Sequence, residues 1–520
     1  MRTFVEVPFY LINGVDTYNP PLSGAELKFS RLKNFQPRRN RLSTVNGFEP
    51  QSTLNATGGI LAIGSYTEPI EQISSLYAFS KTSVYVYNFL SNTFTAAPIY
   101  TDFNNDDERY VLIPWYDKLY ATKLNSDTIS LSAGAATVYS SIPAGRYGVC
   151  SNSHLMFANI STPGGKFPSR VQWSDLYNPT NFVIDTDSEA DYFDLEESDG
   201  ECTGLSYQRG NTLVYSRSNI WIASYSNGKY NFDVLYSGIG NVYHHAQVRV
   251  KEIDFFIGED GIYTVDGLQL KSVGDPIWAF FSGDVANDWT LPVVGTVDAA
   301  HYEVFWTYTN KSGTKWQIVY NFKEDKWSDR DPQGEVCRYR FTKPVRGFQT
   351  IDSFSTMIDG GADSVKIIDG SWQFTTFFGK EFIGCEDGNV YQTSTTKFQK
   401  ADETSLVSEF ETFDMFFDKA EHVKEFNKLV LQFARTGSPT LRIATCVRQY
   451  LSDPVVWSDW LNVASDIDSA TSFYSTTLFV GKFIRFKLQV TNTDENHLKE
   501  LYLLSLFVQN VEQTDEVEEE

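Results

Sequence analysis

The sequence lacks the residue patterns that mark most metal sites and nucleotide enzymes. Its five cysteines, Cys150, Cys202, Cys337, Cys385 and Cys446, lie far apart and include no CxxC pair. That spacing fits neither a zinc site nor a dense disulfide framework. The chain has no GxSxG, HExxH or GxxxxGK[ST] motif and no GxGxxG after a strand. It therefore carries no signature of a serine hydrolase, a zinc protease or a nucleotide-binding enzyme.

Positive charge and long apolar runs are scarce as well. The 43 Lys and Arg against 66 Asp and Glu give a net charge of −23, which argues against a surface that grips phosphates. No stretch approaches the roughly 20 apolar residues that cross a bilayer. The start MRTFVEVPFYLING has Glu6 in its only apolar run and no cleavage site. We therefore expect no membrane span and a protein that folds in a cytosol.

Aromatic residues, by contrast, are abundant. They make up 15% of the chain, with 29 Tyr and 39 Phe. Such residues favour strands. With 520 residues the chain is too long for one ordinary core, so we expect two or more domains or one large repeat architecture.

One hairpin pattern recurs along the chain. FFIGEDGIYTVDG at residues 255–267 returns almost unchanged as FIGCEDGNVYQT at 382–393. Further strand–turn–strand segments of this kind lie at residues 76–88, 117–132, 211–224 and 301–328. Their spacing of mostly about 40 to 60 residues is typical of four-stranded propeller blades. We predict an all-β fold with an irregular β-propeller of six or seven blades over residues 60–399; stacked sandwiches are the alternative.

The Asp-Gly pairs Asp260-Gly261 and Asp387-Gly388 are predicted to supply the positive φ angles of tight hairpin turns. A calcium loop needs several oxygen ligands at alternating positions, which these turns lack. The sequence predicts no metal site and no cofactor.

The regions outside the propeller have a different character. Alternation in LRIATCV and FIRFKLQV predicts a separate C-terminal antiparallel β-sandwich at residues 400–510, with a strand from Lys428 onward. A helix over the preceding AEHVKEFNKLVLQFA is the other interpretation. Residues 511–520, VEQTDEVEEE, read as a disordered acidic tail. Residues 1–59 are predicted to pack on the β domains.

Candidate chemical groups are few. The neighbours His244 and His245 would point to opposite faces of a strand and could not share a metal there. The carboxylate-rich stretches at residues 103–110 and 194–200 are predicted to be solvated loops. The sequence thus favours a protein that is not an enzyme. A basic cluster stands against the acidic trend and is either a docking patch for an acidic partner or a solvated loop; it comprises Arg31, Lys33, Arg38, Arg39 and Arg41.

The stretch SRVQWSDLYNPTNF, residues 169–182, resembles a signature of tail proteins of short-tailed bacteriophages. The matching residues are Arg170, Trp173, Ser174, Asp175, Pro179 and Asn181. The segments 14–50 and 240–277 and the C-terminal part are similar to that family in order and spacing, so the resemblance covers nearly the whole chain.

That resemblance implies a virion protein, a tail nozzle or tail hub assembled in the host cytoplasm. Members form a six-fold ring, a homo-hexamer, below the portal and adaptor proteins and mount fibres or spikes. Viral DNA passes through the ring lumen without sequence-specific binding. We expect Asp and Glu rather than Lys and Arg to line that lumen, because basic groups would slow a sliding phosphate backbone.

Two other functions remain open. One is a carbohydrate-binding or carbohydrate-cleaving propeller, which the carboxylate-rich loops would serve, although the chain has no SxDxGxTW box. The other is a cellular binding scaffold, against which the absence of WD and kelch repeats counts.

Overall fold

The fold is known from a computed structural model of the chain. It describes residues 5–10, 14–17, 28–38, 41–67, 74–88, 91, 93–106, 108–132, 134–195, 200–286, 288, 291–341, 380–394, 397, 404–415, 417, 422–462, 473–475 and 479–510. The predicted acidic tail at 511–520 lies outside these residues, as does Arg39. Among the residues described, no helix is long and apolar enough to cross a membrane.

The N-terminal segment contributes five strands to three different sheets. These are β1, Val5–Tyr10; β2, Phe29–Lys33; β3, Phe35–Arg38; β4, Arg41–Thr44; and β5, Phe48–Ser52.

Four antiparallel sheets of four strands follow, and we name them blades 1 to 4. Blade 1 holds β6, Ile60–Thr67; β7, Ser74–Ser80; β8, Val84–Asn88; and β9, Thr93–Phe94. Blade 2 holds β10, Tyr110–Trp115; β11, Lys118–Lys123; β12, Thr128–Ser132; and β13, Ala135–Tyr139. Blade 3 holds β14, Ala144–Ser151; β15, His154–Thr162; β16, Gly165–Trp173; and β17, Asp191–Asp194. Blade 4 holds β18, Cys202–Gln208; β19, Asn211–Ser216; β20, Asn219–Ser226; and β21, Lys229–Ser237.

Three further blades complete the ring. Blade 5 holds β22, Val248–Val250; β23, Ile253–Ile257; β24, Ile262–Asp266; and β25, Gln269–Ser272, and the helix α1, Asp275–Asp284, follows it. Blade 6 holds β26, Val294–Asp298; β27, Glu303–Thr309; β28, Lys315–Asn321; and β29, Lys326–Arg330. Blade 7 holds β30, Glu335–Phe341; β31, Lys380–Cys385; β32, Val390–Thr393; and, as its outer strand, β5.

The ring closes because the chain supplies the last strand of blade 7 before it enters blade 1. β5 pairs antiparallel with β32, and β30 packs against β6 of blade 1. Most neighbouring blades share an apolar layer of their own, such as Met156 and Trp173 of blade 3 against Val214 and Trp221 of blade 4. A blade alone would expose that face to water, so each depends on its neighbours. The predicted propeller is confirmed, with seven blades.

The repeated hairpin has a fixed place in this architecture. The hairpin at residues 255–267 joins the second and third strands of blade 5, and that at 382–393 joins the second and third strands of blade 7. The other hairpins found in the sequence hold the same position in blades 1, 2, 4 and 6.

The C-terminal strands form the predicted sandwich with help from the N-terminal segment. They are β33, Leu406–Thr412; β34, Lys424–Thr436; β35, Thr440–Arg448; β36, Leu461–Asn462; β37, Phe473–Ser475; β38, Phe479–Gly481; β39, Phe483–Asn492; and β40, His497–Asn510. One sheet has the order β3-β4-β40-β34-β37, with β1 on β40 and β38 on β34. The other has the order β2-β33-β39-β35-β36 and continues from blade 6.

The sequence predicts a sandwich separate from the propeller, and this prediction is wrong because the two share a sheet. Strand β2 lies between β29 of blade 6 and β33 of the sandwich, which joins both into one sheet of nine strands. One hydrophobic core runs from Trp306 and Trp327 of blade 6 to Phe410 and Leu488 of the sandwich. The strand predicted from Lys428 begins at Lys424, because the pairing with β40 extends that far.

Candidate functional site

The signature segment at residues 169–182 closes strand β16 and opens the loop to β17 on blade 3. The Trp173 indole Nε1 donates a hydrogen bond to the Glu189 carbonyl oxygen at 2.9 Å. Ser174 is fully buried, and its Oγ accepts a bond from the Leu155 backbone N at 2.9 Å. These contacts tie both ends of the loop to the blade.

Asp175 organises the interior of the same loop. Its Oδ1 accepts hydrogen bonds from the backbone N atoms of Glu189 at 3.0 Å and Leu176 at 2.9 Å. These bonds, led by that from Glu189, hold the pKa of the Asp175 carboxyl below its usual value. The Asp175 N also donates to the Asn181 carbonyl at 2.8 Å. Pro179 lies in the turn between them.

Arg170 faces outward on the same strand. Its guanidinium forms a two-pronged ion pair with Asp194, with both N–O distances 2.7 Å, and lies over the Tyr192 ring at 3.8 Å. The contacts of these signature side chains thus stabilise blade 3 and the loop between β16 and β17.

The two Asp-Gly turns differ in backbone geometry. Gly388 has the predicted positive φ, at 80°. Gly261 does not have a positive φ, so the prediction is wrong there. The chain reverses here through a four-residue loop, 258–261, which is closed by a hydrogen bond from Gly258 N to Gly261 O at 2.8 Å. A Cβ at position 261 would lie 3.2 Å from the Tyr263 ring, so a larger residue there would require a small shift of that ring.

Both aspartates of these turns perform one task. Asp260 Oδ1 accepts a hydrogen bond from the Tyr263 hydroxyl at 2.6 Å, and Asp387 Oδ2 accepts one from the Tyr391 hydroxyl. The carboxylates therefore brace the turns.

The described residues of the basic cluster are engaged within the chain. Arg31 Nε lies 3.6 Å from the buried Asp329 carboxylate, and Lys33 Nζ lies 4.8 Å from the Trp316 ring centroid. Burial lowers the pKa of the Lys33 amine.

Two further arginines of the cluster are also paired. Arg38 lies 3.8 Å from Glu303, and Arg41 donates to Glu500 at 2.7 Å. The acids that these arginines meet lie far away in the sequence, so the ion pairs tie the N-terminal segment to blade 6 and the sandwich. The docking patch stays a prediction.

His244 and His245 lie in the loop before β22, not on a strand. His244 Nε2 lies 3.1 Å from Glu201 Oε1, and its Nδ1 shares a hydrogen bond with the Tyr147 hydroxyl at 2.6 Å. His245 is mostly buried, and burial lowers the pKa of its imidazole well below the ordinary value. Its Nε2 is 4.0 Å from Glu108.

These histidines belong to a polar cluster built from four blades at one end of the propeller. Glu108 precedes β10, Arg146 lies in β14, Glu201 precedes β18, and the histidines precede β22. Arg146 forms a two-pronged ion pair with Glu108 and lies 3.5 Å from Glu201. The hydrogen bond from His244 lowers the pKa of Glu201 to about 2.

A second, deeper network lies where blades 6 and 7 meet the sandwich. Arg338 donates to Glu335 at 2.8 Å and lies 3.0 Å from Glu381, and Arg330 donates to Glu335 at 2.9 Å. These two arginines and Glu335 are almost fully buried. Removing one member of such a network would leave a buried charge without its partner and would therefore destabilise the fold.

The chemistry of both clusters is structural. Glu201 is held as an ion-paired carboxylate with a pKa far below neutral, so it is not poised to exchange a proton near pH 7. Within the described ranges, no group of three or more His, Cys, Asp or Glu could hold a metal ion.

Two surfaces carry large apolar side chains exposed to solvent. The blade surface comprises Tyr116, Tyr177, Val183 and Ile184, each half or more exposed. The sandwich loop comprises Tyr450, Leu451, Val455, Val456, Trp460 and Leu461.

Arg448 fixes the sandwich loop. Its guanidinium donates to the carbonyl oxygens of Leu451 at 2.9 Å and Asp453 at 2.6 Å. An ordered loop that exposes so many apolar side chains is typical of an interface.

Comparison with known proteins shows no family for this chain. No family model matches the chain, and no curated protein matches it. Among solved structures, the Pan2 WD40 domain of Neurospora crassa is 8% identical with a TM-score of 0.37, covering 68% of this chain and 98% of that one. YCF48 of Cyanidioschyzon merolae is 9% identical with a TM-score of 0.35, covering 67% and 98%. A structure of YCF48 bound to D1 peptide is 10% identical with a TM-score of 0.36, covering 68% and 98%.

Proposed function

We propose that the chain is a structural subunit of a bacteriophage tail, the nozzle or hub of a short-tailed phage. Six copies form a ring below the portal and adaptor, extend the channel through which the genome leaves, and mount fibres or spikes. The protein acts without catalysis.

The observation that carries the proposal is the segment at residues 169–182. It resembles the signature of that family, and its residues do structural work here: Trp173, Ser174 and Asp175 fix one loop of blade 3 by direct hydrogen bonds. A signature made of such contacts marks a scaffold, whereas a signature of catalysis would hold its polar groups ready for a substrate.

The joint between propeller and sandwich supports a mechanical role. A conduit subunit has to keep its shape while the genome moves through the ring. A shared sheet through β2 and a shared core around Trp306 and Phe410 couple the two parts without a flexible linker.

The exposed apolar surfaces support assembly. Copies of a chain with a net charge of −23 repel one another, so contacts between them need surfaces that are apolar and low in charge. The sandwich loop has that character, and we propose that it contacts a neighbouring subunit.

Substitution in the sandwich loop tests this contact. Val456→Asp places a carboxylate on a side chain that is 68% exposed, and Leu268→Asp is the matched control at 63% exposed on blade 5. With the portal and adaptor of the same genome, we expect Val456→Asp to abolish ring assembly and Leu268→Asp to leave it intact. Equal assembly by both variants would rule out the loop as the contact.

Lumen charge is a second element of the proposal. We propose that acidic side chains line the ring lumen, because they repel the phosphate backbone and let it slide. A ring structure with a basic lumen would contradict this.

The carbohydrate alternative differs in a simple assay. A carbohydrate-cleaving propeller would release reducing ends from bacterial polysaccharides, and a carbohydrate-binding propeller would bind those polysaccharides. We expect neither from the purified chain. Genes for a portal and a terminase beside its own gene would favour the phage tail over a cellular scaffold.

A further inference from the structure

The blade surface has no role in the subunit contact proposed above. Of its four residues, Tyr116 lies in the turn between β10 and β11 of blade 2, and Tyr177, Val183 and Ile184 lie in the loop between β16 and β17 of blade 3. The ring centroids of Tyr116 and Tyr177 are 6.4 Å apart, so the two blades contribute to one surface. Large apolar side chains that are grouped on a surface, rather than scattered singly, mark an interaction site.

One residue, Ser153 in the turn between β14 and β15, holds both tyrosines of this surface. Its Oγ shares a hydrogen bond with the Tyr116 hydroxyl at 2.9 Å, and its carbonyl oxygen accepts one from the Tyr177 backbone N at 3.0 Å. The Tyr116 ring also packs edge to face on the buried Trp115, with ring centroids 5.3 Å apart. Aromatic rings that are already fixed lose little conformational freedom on binding, which favours recognition of a partner.

The backbone that presents these rings is strained. Ser153 has a φ of 64° and Tyr177 a φ of 56°, in the left-handed region that is unfavourable for residues with a Cβ. The hydrogen bonds that Asp175 accepts from Leu176 N and Glu189 N stabilise this loop. Tyr177 is 68% exposed, so its strained backbone displays the ring to solvent and adds little to the core. Strain of this kind concentrates at functional sites.

The rim of the blade surface is acidic. Residues 174–190 include four acids and no Lys or Arg. Asp185 and Asp187 of this loop are exposed, and the side chain of Asp117 on blade 2 is 66% exposed. Lys118 offsets part of this charge, because its Nζ lies 4.0 Å from the Asp117 carboxylate. The rim therefore keeps a net negative charge.

This rim decides which class of partner fits the blade surface. Nucleic acids and anionic lipid surfaces are negatively charged, so the rim repels them. A second copy of this chain, with its net charge of −23, also approaches the rim with like charge. A protein segment whose apolar side chains are flanked by Lys or Arg complements both the apolar centre and the acidic rim.

We propose that the blade surface docks a different protein through a segment of this composition. Tyr116 and Tyr177 pack on the apolar side chains of the segment, and Asp117, Asp185 and Asp187 pair with its Lys or Arg residues. This partner differs from the neighbouring subunits, whose contact we assign to the sandwich loop.

Fluorescence anisotropy of labelled peptides mixed with the full chain tests this surface. The probes are two peptides that share a centre of Leu and Trp, one flanked by Lys and the other by Glu, at the same ionic strength. We expect the Lys-flanked peptide to bind at least about tenfold more tightly, because only its charge complements the rim.

Tyr177→Asn tests the apolar centre. Asparagine tolerates the left-handed backbone, so the substitution removes the ring and suits the loop conformation. We expect it to weaken binding of the Lys-flanked peptide at least about fivefold, because buried aromatic anchors dominate such interfaces. Tyr450→Asn removes a tyrosine that is 63% exposed on the sandwich loop and is the matched control, which should leave binding unchanged.

The double variant Asp185→Asn, Asp187→Asn tests the rim. It removes two charges and keeps the oxygen at position 185 that accepts a hydrogen bond from the backbone N of residue 187. We expect weaker binding of the Lys-flanked peptide and a smaller dependence on salt. The control Asp233→Asn, Glu495→Gln removes two exposed charges elsewhere and should leave both unchanged.

Four results would overturn the proposal. The first is no binding of the Lys-flanked peptide by the unaltered chain, and the second is equal affinity for both peptides. The third is equal weakening by a variant and its control; the double variant decides this if Tyr177→Asn fails to fold. The fourth is self-association of the chain that Tyr177→Asn abolishes, which would assign the blade surface to a second copy instead.

Discussion

Asp254 offers a sharp test of how blades 4 and 5 fit together. It is fully buried in β23, where Oδ1 accepts a hydrogen bond from Ser206 at 2.8 Å and Oδ2 accepts one from Tyr215 at 2.7 Å. Both partners lie on blade 4. Burial outweighs these bonds and raises the pKa of Asp254 to about 6 from the ordinary 3.8.

The sign of the pH effect follows from this direction. Between the two pKa values the folded protein holds the proton more tightly than the unfolded chain, so stability falls as pH rises. A pKa difference of about 2 at ~1.4 kcal/mol for each unit amounts to about 3 kcal/mol. The loss in free energy of unfolding caused by ionisation of Asp254 is under about 1 kcal/mol at pH 4 and reaches about 3 kcal/mol at pH 7.

Asp254→Asn removes the titrating group and keeps its shape. We expect the variant to gain stability relative to the unaltered chain as pH rises from 4 to 7, widening the gap in Tm by about 2 °C, because the unfolding entropy of a chain of 520 residues is large. Thermal unfolding measures this difference in Tm. The protein concentration is kept low because the chain has little net charge near its pI of about 4.7, which promotes association. Asp233→Asn, an exposed aspartate on β21, is the control. Parallel pH curves for Asp254→Asn and the unaltered chain would refute the reasoning.

Two further substitutions probe the blades. Lys123 is fully buried, and its Nζ donates to the carbonyl oxygens of Lys81 at 3.0 Å and Asn104 at 2.6 Å. Lys123→Met should lower the free energy of unfolding by about 3 to 5 kcal/mol in chemical denaturation. An unchanged denaturation midpoint would contradict that. Gly388→Ala should lower Tm much more than Gly313→Ala does. Both glycines have a φ of 80°, but a Cβ at 388 would lie 2.1 Å from a backbone oxygen, whereas a Cβ at 313 meets nothing within 4 Å. Equal losses would argue against this crowding.

The hairpins of the propeller could be predicted from the sequence because their information is local. Each joins neighbouring strands through a short polar turn, such as that between Ser216 and Asn219. Alternation of side chains along both strands is visible within a dozen residues.

The closure of the ring and the build of the sandwich could not be predicted in this way. β5 pairs with β32 across more than three hundred residues, and β4 pairs with β40 across more than four hundred. Nothing in the short strand FEPQS identifies its partner. The helix α1, DPIWAFFSGD, could not be predicted from periodicity because its apolar residues form one uninterrupted run, 277–281, and show no helical period.

The polar clusters were missed for the same reason. Glu108, Arg146, Glu201 and His244 stand on four blades, and only the ring brings them together. In the sequence, Glu108 is one acid in a carboxylate-rich loop and Arg146 one isolated arginine. The basic cluster at residues 31–41 was visible, but its acidic partners were not, since Asp329 and Glu500 come hundreds of residues later.

Native mass spectrometry of the chain mixed with the portal and adaptor proteins of its genome tests the central claim most directly. The account predicts a complex that carries six copies of the chain, with a central hole in negative-stain images. A chain that stays monomeric and ignores both partners would contradict it.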